Sequence, residues 1–204
     1  MTQKTKSLSD EEMYFEWLLD ELKDLGYIES YFFEPEEVTV TGNNFMFIEV
    51  DPLTRKTKIL KKDKFLLAST SYTPDYVIKW SPKAKNLFYL DLVEPSQYKQ
   101  LVKRVPFFGH NEVSIVEIKA NFDNHNMTRA FQLKRVALGE KFIYVNLVKI
   151  PGFFKDYFIT QRYLFTNKTS KKRKINFDYI SLKEYIEEVT ILKQTLDIAY
   201  KKKS

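Results

Sequence analysis

Two apolar segments, each carrying charge where a buried strand should have none, constrain this chain more than any other feature. They are YTPDYVIKW at 72–80 and VSIVEIKANF at 113–122. Read as strands, successive side chains leave opposite faces. Glu117 and Lys119 then share one face, while Val116 and Ile118 point the other way, into a core. Asp75, preceded by Pro74, opens the apolar run Tyr76, Val77, Ile78. Taken singly these signals are weak: Glu-x-Lys decorates many solvated sheet faces, and Pro-Asp starts many turns. Together they put two carboxylates and an amine on the edges of two apolar strands, where charges seldom sit unpaired. A divalent cation held by Asp75 and Glu117 resolves that conflict, with Lys119 placed beside a reacting phosphate.

The pattern Pro74, Asp75, Glu117, Ile118, Lys119 resembles the signature of the PD-(D/E)XK nuclease superfamily. The resemblance extends to both flanks and covers about residues 9–150. A Glu-bearing helix precedes the motif (SDEEMYFEWLLDELKDLGYI), and a polar-decorated helix follows it (NMTRAFQLKRVAL). The whole is similar to small phage-type recombination or repair nucleases. The resemblance implies a restriction-endonuclease-like α/β fold: a mixed β-sheet flanked by helices, with an αβββαβ core. Asp75 and Glu117 stand 42 positions apart, so a β segment is expected between them. The resemblance also implies a catalytic set of Asp75, Glu117 and Lys119. It adds one Glu from the first helix, with Glu12 the first choice and Glu16 or Glu11 the alternatives. The Ile118 carbonyl becomes a further metal ligand.

An all-oxygen donor set suits Mg²⁺ or Mn²⁺ better than zinc. Without metal, the clustered carboxylates should raise at least one pKa and make metal binding weak and pH-sensitive. The expected activity is endonucleolytic hydrolysis of DNA, with branched recombination intermediates favoured because no base-reading helix is visible. A non-catalytic nucleic-acid-binding protein that keeps the fold is the alternative, and an RNA-directed nuclease fits the charge equally well.

Composition removes other chemistries. There is no cysteine, which excludes disulfides, thiol catalysis and cysteine-based zinc sites. Only five glycines occur, with no GxGxxG or GxxxxGKS pattern for a phosphate loop. No apolar stretch approaches a membrane span, so no membrane partner and a cytoplasmic location are expected. Net charge is +6, and the basic residues cluster. TRKTKILKKDK (54–64), KTSKKRK (168–174) and KKK (201–203) are the dense runs. Beside a phosphodiester site they read as contacts to a nucleic-acid backbone, with Lys171, Lys172 and Arg173 the candidates.

Along the chain, residues 1–8 read as a flexible N-terminus, 9–150 as the nuclease core, and 151–204 as an aromatic and basic extension. Ser9 and Glu12 form a capping box. Apolar positions 14, 15, 18, 19, 22 and 25 recur at helical spacing, and Gly26 closes the helix. Strands are expected within 27–50, a Lys-rich hairpin at 51–65, and a strand at 86–94. Residues 95–112 read as loop with one short helix. The helix at 126–139 carries Arg129, Gln132 and Lys134, of which the last two are best placed for phosphates. Residues 141–150 read as a parallel or central strand. Ser181 and Glu184 make a second capping box. The amphipathic helix that follows bears Ile186, Val189, Leu192, Leu196 and Ala199, and either covers the sheet or pairs with its twin in a homodimer. Asp91 is only a secondary carboxylate candidate, since Val93 stands where a lysine is needed. His110 and His125 lack metal-ligand spacing and read as loop residues.

Overall fold

Ser9 and Glu12 cap the first helix reciprocally, as their spacing predicts. In the computed structural model the Ser9 hydroxyl accepts from Glu12 N–H at 3.2 Å, and Ser9 N–H donates to Glu12 Oε2 at 2.7 Å. The structure describes residues 8–52, 59–92, 99–120, 127–166 and 170–201. Most of the N-terminal segment, the tip of the Lys-rich hairpin, His125, Lys168 and the last lysines therefore lie outside the described residues, as does the side chain of Arg129. Helix α1 (Asp10–Asp24) buries Phe15, Trp17, Leu18, Leu19 and Leu22. Gly26 ends it at φ 73, a conformation glycine enters without Cβ strain. Leu25 is exposed, because it is the C-cap rather than part of the buried stripe.

Six strands follow: β1 (Ile28–Phe33), β2 (Val38–Thr41), β3 (Asn44–Pro52), β4 (Ile59–Leu67), β5 (Thr70–Tyr72) and β6 (Tyr76–Trp80). β3 and β4 form one long antiparallel hairpin, and β2 pairs with β5 at its base. Next come β7 (Tyr89–Asp91), α2 (Lys99–Val102), β8 (Phe107–Gly109) and β9 (Val113–Ala120). β7 and β8 pair in parallel and form the excursion expected between Asp75 and Glu117. Of the strand expected at 86–94, the described residues 86–92 form only β7, for a local reason. Asn86 adopts φ 64, and turn bonds from Asn86 N–H to Tyr89 O and from Phe88 N–H to Ala84 O consume the preceding backbone.

The chain continues through α3 (Met127–Gly139), β10 (Val145–Ile150), α4 (Gly152–Asp156) and α5 (Leu182–Lys201). The main sheet has four strands in the order β1-β6-β9-β10. Its first two pairings are antiparallel, and β9 pairs with β10 in parallel. The molecule is thus a mixed α/β fold with a mostly antiparallel sheet, and α3 is the crossover that lets β10 run parallel. β10 is the parallel strand expected at 141–150, but it stands at the sheet edge and begins only at Val145.

Side-chain parity on β9 divides the interior. Val116 and Ile118 enter the main hydrophobic cluster with Phe15, Tyr76, Trp80 and Phe107. Ile115 faces the other way, toward a second cluster built on Val40, Tyr72, Phe131, Leu138 and Val145. The residues after 150 share the first of these cores: Phe153, Phe154, Phe158, Leu182, Tyr185 and Val189 belong to it. α5 therefore covers the body of the protein, and its capping box forms with Ser181 N–H donating to Glu184 Oε2 at 2.7 Å. Among the described residues no helix is long and apolar enough to cross a membrane.

Candidate functional site

Antiparallel register brings the two halves of the motif together. Tyr76 pairs with Val116, and one further step sets Asp75 opposite Glu117. Pro74 is buried just before Asp75, and the Asp75 carbonyl accepts Glu34 N–H at 2.9 Å. The Asp75 backbone is thereby fixed at the mouth of β6. Its carboxylate reaches across the ladder, where Oδ2 accepts Ile118 N–H at 2.6 Å.

Glu117 is only 7% exposed, so its charge requires partners. Both oxygens have one. Oε2 accepts the Tyr72 hydroxyl at 2.7 Å, and Oε1 accepts Lys119 Nζ at 2.5 Å. The Lys119 ammonium also lies 5.5 Å from the centre of the Phe131 ring on α3, within cation–π range. Lys149 stands in register with Lys119 on the parallel neighbour β10, and so shares its face of the sheet.

This packing shifts proton affinities. Burial, and then the adjacent Glu117 charge, push the Asp75 carboxyl up to about 6, against the pull of Ile118 N–H and Lys119. Burial and the bond to Glu117 push the Tyr72 phenol well above its ordinary range, which keeps it a hydrogen-bond donor. Glu12 lies close enough to add to the upward shift of Asp75. Its carboxylate, however, is engaged by Ser9 N–H, and its carbonyl accepts the Tyr76 hydroxyl at 3.2 Å. Glu16, the alternative on α1, is raised mainly by burial and then by Asp20. Among the described residues no three His, Asp or Glu side chains gather closely enough to hold a metal ion. The compact set is therefore Asp75, Glu117 and Lys119, with Ile118 between the last two.

The expected nucleic-acid contacts fall in two regions. On α3, Lys134 is half-buried and donates to Ser71 O at 3.4 Å, beside Tyr72. Gln132 is exposed on the other flank, 3.5 Å from the Arg135 guanidinium. Lys171 and Lys172 are exposed. Arg173 is engaged in packing instead. Its guanidinium lies 4.9 Å from the Tyr14 ring and 4.4 Å from Tyr163, and its Nε donates to Tyr163 O at 3.0 Å. Asp91 ends β7, on a different strand pair, and His110 is exposed beside Asn111.

Sequence reasoning passed over Tyr72 and Lys149. The signal for Tyr72 was its place just ahead of Pro74, in a run too apolar to be a plain turn. For Lys149 it was a cation inside an apolar strand, in register with Lys119 on β9. The chain matches no known family model, no curated protein and no solved structure.

Proposed function

We propose that this protein is a divalent-cation-dependent nuclease that hydrolyses phosphodiester bonds in DNA. One observation carries the reading: Asp75 and Glu117 oppose each other across β6 and β9, with Lys119 bonded to Glu117 and the Ile118 amide bonded to Asp75. The order α1, β1, β6, β9, α3, β10 supports it, because it follows the αβββαβ sequence that the motif implies.

The donors fit a hard cation. Asp75, Glu117 and the Ile118 carbonyl offer oxygen alone, the set that Mg²⁺ or Mn²⁺ prefers. The raised Asp75 pKa marks an excess of negative charge that a cation would relieve. Such an ion, when bound, neutralises phosphate charge and acidifies a water. Lys119 contributes a fixed positive charge where the pentacovalent phosphate becomes most negative. Tyr72 holds Glu117 in one orientation while Lys119 turns from carboxylate to phosphate. Lys134 on α3, Lys171 and Lys172 are the proposed backbone contacts, and Gln132 is a further proposed contact to the same strand. Branched DNA is the favoured substrate.

The second reading is a nucleic-acid-binding protein without catalysis. It is favoured by Glu117 having both oxygens occupied by protein donors. One experiment separates the two: incubation of the wild-type chain and Glu117→Gln with four-way junction, flap, linear duplex, single-stranded DNA and matched RNA, with and without Mg²⁺ or Mn²⁺. Metal-dependent cleavage by wild type alone supports the nuclease. Binding without cleavage of any substrate supports the second reading.

A further inference from the structure

Behind α3, away from Tyr72, the turn into β10 opens a cleft of about 770 Å³. Its apolar wall includes Phe142, Tyr144 and Val136, and its polar rim is Gln132, Arg135 and His110. Phe142 is the most unusual of these. The residue is 92% exposed, yet its backbone is held at φ 60, a region that bulky side chains rarely occupy. Bonds from Phe142 N–H to Gly139 O at 2.9 Å and from Ile143 N–H to Leu138 O at 3.0 Å lock that turn. An ordered backbone thus presents a phenyl ring to solvent, where it gains nothing from burial. Opposite, the Arg135 guanidinium lies 5.4 Å from the centre of the Tyr144 ring, and Tyr144 packs edge-on against Phe108 at 5.5 Å.

Flat rings, a planar cation stacked on one of them, and a hydrogen-bonding rim suit a flat, polar-edged aromatic ligand. The charge narrows the choice further: the described lining residues include Arg135 and His110 but no carboxylate. That favours an aromatic group attached to a polyanion. We infer that this cleft receives an unstacked nucleobase of the DNA strand whose phosphate lies at Lys119, an inference that rests on the proposed function. α3 joins the two places. Phe131 lies against Lys119, while Gln132 and Arg135 reach the cleft within about one helical turn, roughly 5–6 Å along the axis. The phenyl ring stacks on the base, and the Gln132 amide and Arg135 address its edge and neighbouring phosphate.

The test uses the full chain in EDTA, so that cleavage does not intervene. A single-stranded oligonucleotide containing 2-aminopurine and the corresponding perfect duplex are titrated against wild type and Phe142→Asn. Asparagine accepts the left-handed backbone, and the replaced residue is almost wholly exposed, so the variant should fold. Thermal melting checks this, and Gln132→Ala serves as a second variant. Base–aromatic stacking predicts a loss of about tenfold in single-strand affinity for Phe142→Asn. The 2-aminopurine signal should be lost with it, and duplex affinity should change much less. Unchanged single-strand affinity and signal in both variants overturn the inference, as an apolar peptide being the true occupant would produce. Equal losses on strand and duplex overturn it as well. A wild type that cuts nothing but shows the Phe142 effect retains the base pocket and loses the nuclease. A wild type that cuts, with both variants binding normally, does the reverse.

Discussion

The Tyr72 hydroxyl donates to Glu117 Oε2 at 2.7 Å, joining residues 45 positions apart. The bond closes the site from the β5 side, while Lys119 closes it from the strand that bears Glu117. A buried carboxylate between a phenol and an ammonium has one orientation and little freedom to leave it. Tyr72→Phe removes the donor and keeps the ring, leaving Glu117 Oε2 unsatisfied. The expected cost is about 1–3 kcal/mol in urea unfolding. The cost should largely vanish when Glu117 is already Leu, because no buried acceptor then remains. Equal costs in both backgrounds would show that the hydroxyl acts elsewhere.

Asp75 makes stability depend on pH, and the metal binding proposed for it should depend on pH in the opposite sense. Burial and Glu117 hold its carboxyl at about 6, above the ordinary 3.8. Between those values the folded chain keeps a proton that the unfolded chain has released. The associated stability is full below about pH 4 and is lost as pH rises through 6. Asp75→Asn escapes this loss. Its stability relative to wild type should grow from near zero at pH 4 to about 2 kcal/mol at pH 7, after allowance for partial solvent access. Metal binding needs the ionised form, so Mn²⁺ should raise the wild-type melting temperature at pH 7.5 but not at pH 5. Asp75→Asn should show no Mn²⁺ response at either pH.

Lys119 is the shared partner, and its removal separates structure from chemistry. Lys119→Ala strands the Glu117 charge in a nearly dry position, with an expected cost of about 3 kcal/mol. Lys119→Met combined with Glu117→Gln should recover most of that cost, since neither residue is then charged. Both variants should bind DNA, and neither should cleave it. Cleavage by Lys119→Ala at a wild-type rate would remove the lysine from the proposed mechanism.

Local signals were the legible ones. The first helix could be read to within a residue because Ser9, Glu12 and Gly26 mark its ends through contacts a few positions away. The second capping box, Ser181 with Glu184, was equally plain. That Asp75 and Glu117 meet was legible in part: strand parity made the charge of Glu117 anomalous, and Asp75 stood out because it opens an apolar run. What escaped depended on long-range placement. Tyr72 meets Glu117 only because β2 and β5 pack under α3. The edge position of β10 depends on the order of strands, which periodicity does not encode. Phe142 was read as part of an apolar strand, yet a turn bond to Gly139 takes it out of the sheet. Arg173 looked like its lysine neighbours in a basic run, because charge alone does not say which member finds aromatic rings.

That last distinction yields a measurable contrast within four consecutive basic residues. Arg173 sits between Tyr14 and Tyr163 and bonds the Tyr163 carbonyl, tying the segment to α1. Arg173→Ala should destabilise the fold by about 1–2 kcal/mol, through lost cation–π contacts and one hydrogen bond. Arg173→Lys should recover little, since an ammonium lacks the planar stacking surface. The exposed Lys171 and Lys172 have no such packing role, so replacing both with Ala should leave the melting temperature unchanged. If they meet phosphates, the double variant should bind duplex DNA more weakly, and the slope of log affinity against log salt should fall by about 2. An unchanged slope would mean that these lysines are solvated charge and that the backbone contacts lie on α3 alone.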